Sequence, residues 1–338
     1  MNDEKKTNTV RLYAMGGVGF NTGSQLENFR DSRIPGAAAL DIAYGDTSDS
    51  DAIYPNISPD NCFFLPNAKG SGKFQGQHLE AIDAHAKAIL QQFKPSETLN
   101  IFLSSGSGGS GAPMVSTLAH ELLASGHNVI VIVVGTTADK REITNTRNHI
   151  RTLMNVAEDT NRPVNTVYFQ NSVATPRAKV DEAIVALVGS LCVLFSGLNH
   201  GLDPQDLYNW LHFNENKTTA YGARLAQLSM FEGDDQVTQT GNIISVATLA
   251  TATSNHEIEQ TPEYQVVGRI SPDADKIVIG RAPIHFVLST GRFKHVLDEL
   301  EGRLADINQA REAIVDTPIV NKTVAGTKAT KRGIVVDD

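Results

Sequence analysis

The sequence is poor in cysteine and in clustered positive charge, and each shortage removes a class of function. Its two cysteines, Cys62 and Cys192, lie far apart and form no CxxC pair, so neither a disulfide framework nor a zinc knuckle is implied, and a reducing cytoplasm fits. Lys and Arg number 29 against 38 Asp and Glu, a formal net charge of -9. The basic residues are nowhere gathered into a block, which argues against direct binding of nucleic acid or acidic lipid. The ten histidines show no HExxH or paired spacing. His78 and His85 stand seven apart without a third ligand, and no side chain is assigned to a metal. No apolar run reaches the roughly 20 residues that a bilayer span needs. The uncharged segment 183–198 comes nearest, but it is interrupted by Gly189, Ser190, Ser196 and Gly197. It reads as a helix buried on nearly every side of a globular fold. The opening MNDEKKTN mixes charges with no apolar stretch behind it, so no secretory leader is expected. No internal repeat of fixed period is present.

What the chain does have is apolar content and alternation. With 338 residues and 41% hydrophobic composition it can bury a large core and fill about two domains. Short β-branched runs at 10–14, 38–44, 62–65, 99–103, 129–134 and 164–169 alternate with helical patterns at 21–30, 75–93, 113–125 and 143–159. That rhythm predicts an α/β fold with a doubly wound, mostly parallel sheet, whose ligands gather outside the carboxyl ends of the strands. The buried helix follows at 179–198. Beyond it the texture changes to short strands at 242–250, 263–270, 276–280 and 285–289, a smaller α+β region. A long amphipathic helix is expected at 293–314, with Val296, Leu297, Leu300, Leu304 and Ile307 on one stripe. The tail from 320 onward, ending Val335-Val336-Asp337-Asp338, has too little apolar content to order by itself.

Three loops carry glycine. Met15-Gly16-Gly17-Val18-Gly19-Phe20-Asn21 leads from the first strand into a helix. Such a loop lets backbone approach an anion at free helix N–H groups. It also resembles a dinucleotide fingerprint, although GxGxxG would need glycine where Thr22 stands. After the fourth strand comes Ser104-Ser105-Gly106-Ser107-Gly108-Gly109-Ser110-Gly111, four serines and four glycines in eight residues, a run of donors suited to a diphosphate or triphosphate. The third, Lys69-Gly70-Ser71-Gly72-Lys73, fails the P-loop spacing, since Asn67 and Phe74 occupy the positions that would need Gly and Ser or Thr.

The stretch from Ser107 to Ala112 is similar to the glycine-rich signature of the tubulin and FtsZ superfamily, GGGTGSG, and Gly16 to Asn21 resembles that superfamily's first nucleotide loop. Asp46-Thr47-Ser48 falls where the family has its second loop and Gly70-Ser71-Gly72 where it has its third, near the γ-phosphate. Within the superfamily the chain looks most like the bacteriophage-encoded tubulins of the PhuZ or phage TubZ type. That likeness rests on Asn199 to Trp210, on Pro283 to Val287, and on the long final helix with an acidic end. Pro113 departs from the signature's last glycine, and Pro176 or Arg177 stands where bacterial relatives place an aromatic over the base.

The resemblance implies a GTPase. Gly16, Gly17, Val18, Gly19, Asn21, Asp46, Thr47, Gly70, Ser71, Gly72, Ser107, Gly108, Gly109, Ser110, Gly111 and Asn171 would hold GTP or GDP, with Mg²⁺ on the phosphates. Asp181 would accept hydrogen bonds from guanine, and Asp203 and Asp206 would be catalytic. Asp181 can equally be a carboxylate favouring a helix N-terminus, and Asp203-Pro204-Gln205-Asp206 also spells an ordinary helix start. The implied parts are a GTP-binding domain (1–178), a connecting helix (179–198), a catalytic loop with an activation domain (199–290), a long helix (291–316) and a flexible tail (317–338). The implied partner is a second copy, gripped by that tail in a head-to-tail homopolymer. A phage DNA-linked adaptor or capsids would be cargo in the host bacterial cytoplasm, with no membrane contact. A Rossmann-type NAD-dependent oxidoreductase and a nonhydrolysing filament scaffold are the alternative readings.

Overall fold

Parallel strands covered on both faces need apolar side chains at every position, and β5 (Val129–Thr136) supplies them: from Val129 to Val133 no residue is more than 1% exposed. Around it the computed structural model describes residues 8–31, 36–196, 199–217, 219–233, 237, 241–250, 258, 260–270 and 282–315. The order is β1 (Thr9–Met15), α1 (Gly16–Asp31), β2 (Ala39–Asp46), β3 (Cys62–Phe64), α2 (Leu79–Gln92), β4 (Leu99–Ser105), α3 (Gly111–Ala124), β5, α4 (Lys140–Thr160) and β6 (Val164–Asn171). Then come α5 (Arg177–Leu194), β7 (Asn199–His200), α6 (Pro204–Leu211), β8 (Leu225–Glu232), β9 (Asn242–Ala250), β10 (Tyr264–Ile270), β11 (Ile284–Thr290) and a long helix, α7 (Arg292–Val315).

Among the described residues eleven strands join one sheet in the order β3-β2-β1-β4-β5-β6-β8-β11-β9-β10-β7. The first six form the doubly wound parallel half that the strand and helix rhythm predicts. β8 pairs parallel with β6 over Val164 to Thr166, and β11 then runs antiparallel to both β8 and β9. Side chains alternate cleanly across the sheet. Leu12, Ile101, Ile130 and Ile132 pack with Leu26 of α1 and with Val180, Ile184 and Leu191 of α5 on one face. Tyr13, Phe102, Val131 and Val133 meet Ile82 of α2, Met114 of α3, Ile143 of α4 and Leu300 of α7 on the other. The expected central helix is present, buried along much of its length, and ends at Leu194 rather than Leu198. Asn199 explains the stop, since its Nδ2 donates to the carbonyls of Val193 (3.0 Å) and Leu194 (2.5 Å), satisfying groups that a helix end leaves open.

Two expectations need correction. The helix expected from residue 21 starts at Gly16, so the first glycine loop is itself the opening turn. Leu225–Glu232 was not expected as a strand at all. Its Leu, Ala and Met residues favour helix as much as strand, and the pairing with β6 and β11 decides the outcome. The strand expected at 276–280 and the tail at 317–338 lie outside the described residues. No helix among the described residues is long and apolar enough to cross a membrane.

Candidate functional site

In a doubly wound sheet of order 3-2-1-4-5-6 the ligand crevice opens where the order reverses, between β1 and β4. Both glycine-rich stretches leave from that point. Gly16 turns the chain out of β1 with φ +71°, a left-handed conformation that glycine adopts without strain. The serine-glycine loop leaves β4 and enters α3 at Gly111. Gly109 is needed for closeness, because a Cβ there would stand 2.3 Å from Ser71 Oγ and 2.7 Å from the Phe74 amide nitrogen. The loops therefore nest backbone to backbone.

Ser110 joins three of them. It precedes α3 without capping it, and its hydroxyl lies 2.6 Å from Thr47 Oγ1 and 3.0 Å from Ser71 Oγ. Asp46, at the end of β2, accepts from the Thr47 amide at 2.6 Å. Burial raises the pKa of its carboxyl, although hydrogen bonds from Thr47 and Ser110 oppose that shift. Gln75 Nε2 donates to the carbonyls of Gly106 (3.0 Å) and Gly108 (3.1 Å). Asn145, a buried residue of α4, donates to the carbonyls of Lys73 (2.8 Å) and Ser107 (2.9 Å). These bonds enclose a polar cleft of about 250 Å³ whose lining includes Gly16, Gly17, Asp46, Asp51, Gly70, Ser71, Lys73 and Gly108 to Gly111. No cluster of three or more His, Cys, Asp or Glu side chains able to hold a metal ion occurs among the described residues.

A second cluster lies one helical turn further along α1. Asn21 Nδ2 donates to Asp181 Oδ2 at 2.9 Å, and the Thr22 hydroxyl donates to Asp181 Oδ1 at 2.5 Å. Tyr54 donates to Asn21 Oδ1 at 3.1 Å, and the Arg177 guanidinium stands 3.9 Å from Asp181. Asp181 is 5% exposed and is the fifth residue of α5, past the first turn where the helix dipole is felt most. A carboxylate has about four acceptor sites, of which Asn21 and Thr22 fill two. Asn171 closes β6 nearby in the chain and is half-buried. Val18 and Gly19 lie in the first turn of α1, with Val18 packed on the core, and Gly72 belongs to the third loop.

Asp203 and Asp206 are placed elsewhere. They form a reciprocal capping box at the start of α6: Asp203 Oδ1 accepts from the Asp206 amide at 2.8 Å, and Asp206 Oδ2 accepts from the Asp203 amide at 3.1 Å. Tyr264 of β10 donates to Asp206 Oδ1 at 3.4 Å. Asp203 is exposed and Asp206 half-buried. From Asp181 the helix α5 runs on to Leu194 before the chain reaches this pair, a stretch of about 20 Å at helical rise. Trp210 is buried within α6, between Phe195 and Phe286.

No protein-family model matches the chain. A phage tubulin-like protein of Pseudomonas phage phiKZ is 24% identical over 316 residues, covering 89% of this chain and 91% of that protein. A solved protofilament of TubZ from bacteriophage PhiKZ superposes with a TM-score of 0.82 at 24% identity, over 98% of this chain and 96% of that one. The chain has the tubulin fold. The same holds against the phage tubulin PhuZ with GDP, with a TM-score of 0.81 at 18% identity over 98% of this chain and 96% of that one. The resemblance to the tubulin and FtsZ superfamily, and to its phage-encoded members, is borne out.

Several residues of this tubulin-like chain were not named as site residues from the sequence: Thr22, Asp51, Tyr54, Lys73, Gln75 and Asn145. Asn145 carried a faint signal, being a polar residue on the otherwise apolar face of α4 together with Thr146 and His149. Gln75 and Tyr54 carried none, because their partners lie 31 and 33 residues away.

Proposed function

We propose that this chain is a GTP-binding and GTP-hydrolysing cytoskeletal protein that polymerises head to tail into dynamic filaments, each site being completed by Asp203 and Asp206 of the next copy. One observation carries the reading. The polar cleft and the Asp181 cluster lie at one end of α5 and the capped carboxylates at the other, so a chain cannot bring both to one nucleotide. Gly16, Gly17 and Gly108 to Gly111 would cradle the phosphates with backbone N–H groups, while Asp181 and Asn21 would receive the guanine edge. Adenine offers no matching pair of donors to a carboxylate.

Mg²⁺ fits the donor set, since Asp46 and Asp51 both line the cleft beside serine hydroxyls. Oxygen donors of this kind suit a hard cation, and when bound it would share the negative charge of the β- and γ-phosphates. The remaining work is positioning. Asp203 and Asp206, held by their mutual capping bonds, would orient and polarise the attacking water, with the polar loops holding the leaving phosphate in place.

Exposed apolar side chains support self-assembly. Ile53 is 74% exposed, Phe74 53%, Leu79 45% and Val173 102%. All four lie on or next to the loops that follow β2, β3 and β6 in the chain. Exposed apolar side chains gain from burial against another surface. The parts 1–178, 179–198, 199–290, 291–316 and 317–338 belong to the same proposal, as do the tail's grip on the next subunit and the use of filaments to position phage DNA or a replication compartment in the host cytoplasm.

The test is phosphate release measured against protein concentration, with electron microscopy of the protein in GTP. Turnover per subunit should rise steeply as filaments appear. Constant turnover from well below to well above the assembly threshold would rule out a shared site. A thermal shift produced by NAD and not by GTP would favour the oxidoreductase alternative.

A further inference from the structure

The cleft has a charge problem that its glycines do not solve. Among the described side chains lining it, Asp46 and Asp51 are acidic and Lys73 is the one cation. A nucleoside triphosphate adds several negative charges to that surface, and like charges a few ångströms apart repel strongly where water is scarce. Yet the Lys73 ammonium is directed to other partners. Its Nζ lies 3.2 Å from Asp139 Oδ2 and 2.5 Å from Glu142 Oε1, at the start of α4. Those bonds hold its pKa above the ordinary lysine value.

The arrangement is easily exchanged. The Lys73 side chain is 51% exposed, and ion pairs in water are worth little because solvent and salt screen them. Asp139 keeps a second role without the lysine, since its Oδ1 caps α4 by accepting from the Glu142 amide at 2.9 Å. The backbone of Lys73, by contrast, is pinned. It sits at φ +67°, its carbonyl accepts from Asn145 Nδ2 at 2.8 Å, and the following amide, of Phe74, donates to the Ser71 carbonyl at 2.8 Å. A flexible four-carbon stem on a fixed anchor can swing while the loop stays in place.

Direction follows from the layers. The Asp181 cluster belongs to α1 and α5 on one face of the sheet, whereas Lys73 leans on α4 on the other. A nucleotide laid from Asp181 past Gly16 and Gly17 toward the third loop reaches Lys73 last. We propose that Lys73 is a clamp for the terminal phosphate, giving up Asp139 and Glu142 for the γ-phosphate and so making the site distinguish triphosphate from diphosphate. The lysine that misses the P-loop spacing would then do a P-loop lysine's work from a different loop. This rests on reading the cleft as the phosphate site.

The experiment is equilibrium binding of GTP and of GDP, below the assembly threshold, to the wild type, to Lys73→Met and to the double variant Asp139→Asn, Glu142→Gln. Lys73→Met should lose about tenfold in GTP affinity, the scale of one charge-assisted contact, while GDP affinity stays within about twofold. The double variant should bind GTP about threefold or more tightly, because the competing carboxylates are gone. Equal losses for both nucleotides, or no loss, in Lys73→Met would overturn the clamp while leaving the cleft assignment standing. Weaker GTP binding by the double variant would overturn it as well. A wild type that binds neither nucleotide would overturn the cleft assignment and the clamp together.

Discussion

Asp181 holds α1 to α5 and, on the proposed reading, would also receive a ligand. Its carboxylate receives Asn21 and Thr22, so removing it leaves two buried donors without an acceptor. That loss should lower stability, and on the proposed reading guanine's donors lose their acceptor too, so Asp181→Ala should weaken GTP binding by roughly 1 to 3 kcal/mol. Asp181→Asn should weaken GTP binding as well, because one of the two carboxylate oxygens becomes an N–H donor that guanine's donors cannot use. Isothermal titration of both variants with GTP checks this, and wild-type affinity in both would place the base contact elsewhere. At this scale the sequence was partly legible. Asn21 and Asp181 were both named as contacts, on family resemblance. Tyr54, which holds the other end of the Asn21 carboxamide, was not, because nothing in a loop tyrosine announces a partner 33 residues back.

Elements are readable where their apolar period is strong and ambiguous where packing makes the decision. β5, α4 and α7 follow from pattern alone, whereas β8 becomes a strand through its neighbours, and the first glycine loop becomes a helical turn because β1 delivers it at the sheet's switch point. Helices also carry two histidines whose burial has a measurable consequence. His149 of α4 is buried with Nδ1 3.3 Å from Ser116 Oγ, and His212, just after α6, has Nε2 3.1 Å from Asn128 Oδ1. The other ring nitrogen of each has no hydrogen-bond partner among the described residues. Burial lowers both pKa values to about 4, with Arg162 adding to the effect at His212. The folded state thus prefers the neutral ring while the unfolded chain takes up a proton near pH 6.5. Their contribution is complete above about pH 6.5 and is lost as pH falls toward 4, up to roughly 3 kcal/mol for each ring. Urea midpoints should drop across that interval, and the drop should shrink in the double variant His149→Gln, His212→Gln. The same slope in both proteins would assign the acid sensitivity to carboxylates.

For the whole molecule, the tubulin fold puts the polar cleft and the α6 cap at opposite ends of α5, and the proposed chemistry needs both at one nucleotide. Asp206→Ala keeps the Asp203 cap on the backbone and should fold, bind GTP and assemble, while hydrolysis falls on the order of 10²- to 10⁴-fold, the usual contribution of a group that positions or polarises water. Phosphate release from preformed filaments checks it, and filaments that turn over like wild type would exclude the pair from catalysis. The layout was legible from the order of loops and helices because chain order fixes which end of α5 each loop meets. The eleven-strand continuity of the sheet was not, since it depends on the three-residue pairing of β6 with β8. The distance along α5 also sets a rule of counting. On the proposed reading a lone subunit has no finished site, two copies share one, and a row of n copies has n − 1. One terminus of every row then always carries an unfinished site, whose nucleotide survives until another copy arrives, so short rows are the least active per subunit and activity climbs toward a ceiling as they lengthen.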